Sequence, residues 1–216
     1  MGKRVAFVLS GCGVKDGSEI HEAVSALIAL DRAGYEVIFT APDVLQTATI
    51  DHGSGEPLKE ARNALTEAAR IARGNIRPLS DLQPDDYDAV MFPGGFGAAI
   101  TLCSFASDGP ECSVNPEVEN LINEARQSGK PIAAMCIAPV ILARTIPLAR
   151  LTIGTHPETA DAINSMGAIH VNCPVNESVV DKEKKLVTTP AYMLANGPAE
   201  LFEGVVNMVE KLGELF

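Results

Sequence analysis

The stretch Gly129-Lys-Pro-Ile-Ala-Ala-Met-Cys-Ile-Ala-Pro139 constrains the fold more than any other. It reads as a buried strand, Ile132 to Met135, that runs into a cysteine and turns at once into a helix. Pro139 suits the first helical turn, where a backbone N–H has no intrahelical partner to lose. Small Ala133 and Ala134 let neighbouring elements approach closely. A strand that breaks abruptly into a helix is the corner at which α/β proteins expose a nucleophile above a sheet. A thiol there feels the positive end of the helix dipole, which lowers its pKa. Cys136 can also be read as a small buried hydrophobe, the usual fate of a free cysteine. The corner favours the functional reading.

The remaining chain alternates strand and helix signals. Arg4 to Leu9 reads as a strand, Ser10 to Ser18 as a glycine-rich turn, and Glu19 to Ala33 as a helix with Ser18 as its N-cap. Ala23, Leu27, Ile28 and Leu30 form the predicted apolar stripe, and Gly34 ends the helix. Tyr35 to Thr40 is a second strand, which makes a βαβ start. A helix is predicted over Leu58 to Ile71, a connection over Asn75 to Asp86, and a strand over Ala89 to Phe92. After Pro93-Gly-Gly-Phe-Gly97 come a small-residue loop, Leu102 to Val114, and a helix from Pro116 to Gln127. Beyond the elbow, a helix runs to about Arg144 and another covers Glu158 to Met166, with Leu151 to Ile153 and Ile169 to Val171 as short strands. A hairpin pairs Val179-Val180 with Leu186-Thr188, and Pro198 to Leu215 is an amphipathic helix. This alternation predicts one α/β domain over 1–216, with a mostly parallel sheet between two helical layers.

Charge and cysteine usage narrow the setting. With 28 acidic against 17 basic residues the net charge is -11, which disfavours nucleic acid and anionic membranes because the phosphate term would be repulsive. No apolar run approaches the roughly 18 residues of a membrane span. Val5 to Leu9 is too short for a signal-peptide core. The cysteines at 12, 103, 112, 136 and 173 are odd in number and scattered, which fits free thiols in a reducing compartment. The expectation is a cytoplasmic protein, or one from an equivalent organelle interior.

In a parallel sheet, ligands sit beyond the carboxyl ends of the strands. Three loops meet there: 10–18, 93–97 and the elbow. Glu19 and Glu22 follow the first strand. Glu22 shares the register of the buried stripe, four residues before Ala26, so it faces inward and needs a partner. A carboxyl beside a thiol in a desolvated pocket can carry a proton near neutral pH. Glu19 reads as a first-turn charge stabilised by the dipole. Gly94 and Gly95 can bring bare backbone N–H groups to a developing oxyanion, or simply make a tight turn. His156 is open between general acid or base and plain loop residue. Arg62 and Asn63 are candidates to reach the pocket from the long excursion after strand 2. Gly11-Cys-Gly-Val-Lys-Asp-Gly17 imitates a dinucleotide loop, but its third glycine comes one residue late and no ribose-binding acid ends strand 2. No metal-ligand spacing is present, and no cofactor is expected.

Several motifs together resemble a known family: Leu9-Ser-Gly-Cys-Gly-Val, Asp16-Gly-Ser-Glu-Ile-His-Glu-Ala23, Phe92-Pro-Gly-Gly-Phe-Gly-Ala98, Met135-Cys-Ile-Ala-Pro139, Leu151-Thr-Ile-Gly-Thr155 and Val187-Thr-Thr-Pro-Ala-Tyr-Met193. They look like the ElbB group of the PfpI-like, class I glutamine-amidotransferase-like superfamily, over nearly the whole chain. The resemblance implies a flavodoxin-like α/β/α sandwich, usually a homodimer. It implies Cys136 as elbow nucleophile, Glu22 as its carboxyl partner, and Gly94, Gly95 and Ile137 as oxyanion or substrate-binding residues. Similar members are described as cofactor-independent glyoxalases, and the group has been tied to isoprenoid synthesis. Glyoxalase-type relatives place a histidine near position 156. The chain departs from peptidase-like members in having Ile137 rather than His after the nucleophile. It departs from amidotransferases in having no histidine after residue 170. The expected activity is a glyoxalase-type lyase that converts glyoxal or methylglyoxal to the hydroxy acid. The alternative is a redox-sensing or partner-binding protein.

Overall fold

The computed structural model describes residues 2–216. In chain order the main elements are β1 (Arg4–Val8), α1 (Ile20–Arg32), β2 (Glu36–Ala41), α2 (Ala64–Ile71), β3 (Arg77–Pro78), β4 (Ala89–Phe92), α3 (Phe96–Ile100), α4 (Phe105–Asp108), α5 (Pro116–Gln127), β5 (Ile132–Met135), α6 (Pro139–Thr145), β6 (Arg150–Leu151), α7 (Pro157–Ser165), β7 (Ile169–His170), β8 (Val179–Asp181), β9 (Leu186–Thr189) and α8 (Pro198–Gly213).

Seven strands form one sheet in the order β3-β2-β1-β4-β5-β9-β8, and only β8 runs antiparallel, against β9. Without the short β3 and β8 edges, the order is the 2-1-3-4-5 of flavodoxin-like sheets, as the sequence resemblance implied. Strand order reverses between β1 and β4, so a crevice opens above their carboxyl ends.

Period-two alternation divides each central strand between two cores. Val5, Phe7 and Leu9 pack with α1 and α8 on one face, whereas Ala6 and Val8 pack with α5 and α6 on the other. Strands buried on both faces read as continuous apolar runs, which is why β1, β4 and β5 were legible. Each large side chain buried there, such as Phe7, Phe92 or Met91, contributes about 1.5–3 kcal/mol.

Several local expectations are corrected. Ser18 does not cap α1. Glu19 does, its side chain accepting from the Glu22 N–H at 2.6 Å, while Ser18 Oγ accepts from the Ser10 N–H at 2.9 Å. Ile28 is exposed and Leu27 only half-buried, because the packed face of α1 runs through Glu22, Ala23, Ala26, Ala29 and Leu30. Helix α2 starts at Ala64 rather than Leu58. Asn63 stops it short by capping, accepting from the Thr66 N–H at 2.9 Å, and residues 58–62 stay outside the helix. The connection after α2 contains β3, which prolongs the sheet beside β2. A short helix, α3, follows Gly95 directly where a loop was expected.

Among the described residues, no helix is long and apolar enough to cross a membrane.

Candidate active site

Cys136 sits where β5 gives way to the elbow, with φ at +59°. A non-glycine residue in this left-handed region costs on the order of 1–3 kcal/mol, and persists only where its surroundings hold it. They do so here: the Cys136 N–H donates to the Thr189 carbonyl at the end of β9, at 3.1 Å. Pro139 opens α6 at its first position, as its ring prefers.

Glu22 reaches the sulfur from across the crevice. Its side chain is fully buried and hydrogen-bonded to Cys136. Its two carboxyl oxygens are held from two sides. The Gly94 N–H donates to Oε2 at 2.8 Å, and the Tyr192 N–H donates to Oε1 at 3.2 Å. Burial, the largest effect, pushes the Glu22 carboxyl up to about 7, while the bonds from Cys136, Tyr192 and Gly94 oppose the shift. Glu22 therefore exchanges a proton near neutral pH.

The thiol departs from the expectation that the helix dipole would lower its pKa. Burial raises it well above the usual thiol value, and the Glu22 charge and hydrogen bond raise it further. Backbone N–H groups of Gly95 and Ile137 point at the sulfur and act in the opposite direction. Desolvation outweighs the field of α6, the seven-residue helix beyond it. Two buried acids in contact titrate as a pair, and ionising either discourages ionisation of the other. Protonated Glu22 removes the charge that opposes the thiolate and can donate to it.

Two glycines make the crevice possible. A Cβ on Gly94 would lie 2.5 Å from Glu22 Oε2 and 3.0 Å from Cys136 Sγ. Gly95 has φ at +95° and no room for a side chain against Gly17 and Glu19. The loops after β1 and β4 are tied together: the Glu19 N–H donates to the Gly94 carbonyl at 3.0 Å, and the Gly97 N–H to the Gly17 carbonyl at 3.0 Å.

The sequence-predicted residues thus divide. Cys136, Glu22, Gly95 and Ile137 converge on one sulfur. Gly94 lies beside it, but its N–H is already given to Glu22, so its expected part as an oxyanion donor is corrected to that of a clamp on the carboxylate. His156 is exposed and caps α7, its Nδ1 facing Thr159 Oγ1 at 3.0 Å, so its expected acid–base part is corrected to a structural one. Arg62 pairs with Glu60, and Asn63 is occupied as a cap and by Asp43. Sequence reasoning did not single out Tyr192 or Thr189. Both act through backbone groups at the end of β9, which no side-chain pattern announces. Glu19, read as a plain first-turn charge, is buried and positions Glu22.

A family model described as "DJ-1/PfpI family" matches residues 3–203. The chain belongs to the DJ-1/PfpI family. Its human relative, glutamine amidotransferase-like class 1 domain-containing protein 3, mitochondrial, is 49% identical over 98% of this chain and 83% of its own. Among solved structures, an Ehrlichia chaffeensis isoprenoid biosynthesis protein with an amidotransferase-like domain superposes with a TM-score of 0.91. It is 32% identical and covers 99% of this chain and 100% of its own. Glyoxalase III from Candida albicans shares the fold, with a TM-score of 0.65 at 16% identity over 99% of this chain and 97% of its own. The class I glutamine amidotransferase-like architecture of this DJ-1/PfpI member is thereby shown. The expected cytoplasmic location is overturned, because the human relative is mitochondrial by name. Free thiols distinguish reducing from oxidising compartments, not cytoplasm from an organelle interior.

Proposed function

We propose that this DJ-1/PfpI protein, as a member of the ElbB group, is a cofactor-independent glyoxalase acting on a small 2-oxoaldehyde. One observation carries the reading: a fully buried Glu22, with its pKa near 7, hydrogen-bonded to the elbow cysteine. Such a group can accept the thiol proton, return it, and then act again as a base.

Glu22 takes the Cys136 proton as the sulfur adds to the aldehyde carbon of glyoxal. The developing oxyanion is met by the N–H groups of Gly95 and Ile137, already directed at the sulfur. Glu22 protonates that oxygen, giving a hemithioacetal. Its carboxylate then removes the proton from the former aldehyde carbon and returns one to the neighbouring carbon through an enediol. One carbon is oxidised and its neighbour reduced, so electrons balance within the substrate. Water cleaves the resulting thioester to glycolate and restores the thiol. Methylglyoxal would give lactate by the same route.

The purified protein is incubated with glyoxal and glycolate is followed by NMR. We expect product from the native chain and none from Cys136→Ala or Glu22→Gln. Equal turnover by native protein and Cys136→Ala would remove the proposal. A second reading, redox sensing or partner binding at the same thiol, is favoured if no glycolate forms while mild peroxide converts Cys136 to an oxyacid. The name of the Ehrlichia relative gives that reading a setting, an accessory part in isoprenoid synthesis.

A further inference from the structure

A second pair of thiols meets away from the Cys136 crevice. Cys103 and Cys112 flank a loop that returns on itself as a narrow antiparallel ribbon. Cys103 bridges to Val114, and the Ser104 N–H donates to the Ser113 carbonyl at 2.9 Å. Cys112 lies two residues from Val114, so its side chain shares a face of the ribbon with Cys103. The two thiols are hydrogen-bonded to each other. Both are buried, yet the segment that joins them is exposed at Ala106, Ser107 and Asp108 and turns at Gly109 with φ at +54°. That segment can give way as the sulfurs close.

We propose that Cys103 and Cys112 form a redox dithiol, which a peroxide converts to an intramolecular disulfide. Packing alone does not call for two adjacent thiols, and the glyoxalase reading makes no use of them. Their environments differ in the way such chemistry needs. The hydrogen bond from Cys103 is the main cause that brings Cys112 down to about 7, and the Arg144 guanidinium, whose Nε donates to the Cys112 carbonyl at 2.6 Å, adds to it. Cys103 keeps its proton: its thiol is pushed strongly up, chiefly by its hydrogen bond to Cys112 and by burial. Cys112 is the attacking sulfur and Cys103 the resolving one.

The Cys112 thiolate attacks one oxygen of the peroxide. The O–O bond breaks, and hydroxide leaves and takes up a proton to become water. The sulfenic acid that results is attacked by the Cys103 sulfur. The S–S bond forms as the S–O bond breaks, and the departing hydroxide takes the Cys103 proton. Two sulfurs are each oxidised by one electron, and one peroxide is reduced to two waters.

The native chain is treated with hydrogen peroxide, alkylated and digested with trypsin. The peptide ending at Arg126 carries Cys103 and Cys112 and no other cysteine. We expect it to lose two hydrogens, to resist alkylation at both positions, and to recover both on reduction. In Cys103→Ala the reaction should stop at a Cys112 sulfenic acid, trapped by dimedone. If both thiols stay fully alkylatable while Cys136 is oxidised, the proposal is overturned. The native-chain mass is decisive by itself should the variant fail to fold.

Discussion

The backbone N–H of Gly94, at the end of β4, donates to Oε2 of Glu22, on the first turn of α1, at 2.8 Å. This bond spans the point where strand order reverses, and it aims a buried acid at a buried thiol. It also explains why position 94 carries no side chain. We expect Gly94→Ala to slow Cys136 alkylation at least tenfold. The added methyl group meets both Glu22 and Cys136, and overpacking of this kind costs about 1–3 kcal/mol. Iodoacetamide kinetics and urea unfolding measure the two effects separately. Unchanged alkylation would mean that the glycine serves the turn alone.

The titration of Glu22 has a thermodynamic signature. Its carboxyl is raised from 4.5 to about 7 in the folded chain, so between these values the folded state binds more protons than the unfolded one. Stability then falls as pH rises through this window, and is fully retained below it. With 1.36 kcal/mol per unit, the group contributes a loss of about 3 kcal/mol between pH 4 and pH 8. Glu22→Gln should remove that slope. Urea unfolding at both pH values, native against variant, checks the difference, and parallel slopes would contradict it.

Ser18 is expected to matter as a loop pin rather than a helix cap. Ser18→Ala leaves the buried Ser10 N–H without its acceptor, which costs about 1–3 kcal/mol. The helix content of α1 should not change, since Glu19 caps it. Circular dichroism and thermal unfolding together distinguish this from the loss of a cap.

His156→Ala should leave glycolate formation within about twofold of the native rate and lower stability by about 0.5–1 kcal/mol, the worth of a weak N-cap. A hundredfold fall in turnover with normal stability would restore His156 to the chemistry.

The layered fold and the elbow were readable from one sequence. Residues such as Ile132 to Met135 state their burial in a local pattern, and Pro139 and Gly34 punctuate it. The inward register of Glu22 was also local, because helical spacing sets it against Ala26. Local pattern failed where side chains compete for the same backbone groups. Ser18 was the better cap on paper, and Glu19 takes that place because the Ser18 hydroxyl is engaged by the Ser10 N–H.

The sequence by itself determined the kinds of residue available: a thiol at a strand end, an acid on a helix, glycines between them, and an acidic surface. Tertiary structure alone decided what those residues do to one another. The sign of the Cys136 shift depends on how completely water is excluded and on a carboxyl 114 positions earlier in the chain. The allocation of the Gly94 N–H to Glu22, and the engagement of His156 as the cap of α7, are likewise outcomes of packing. Desolvation and hydrogen-bond partnership are properties of a place in space, and a linear order of residues carries neither until the strands have chosen their neighbours.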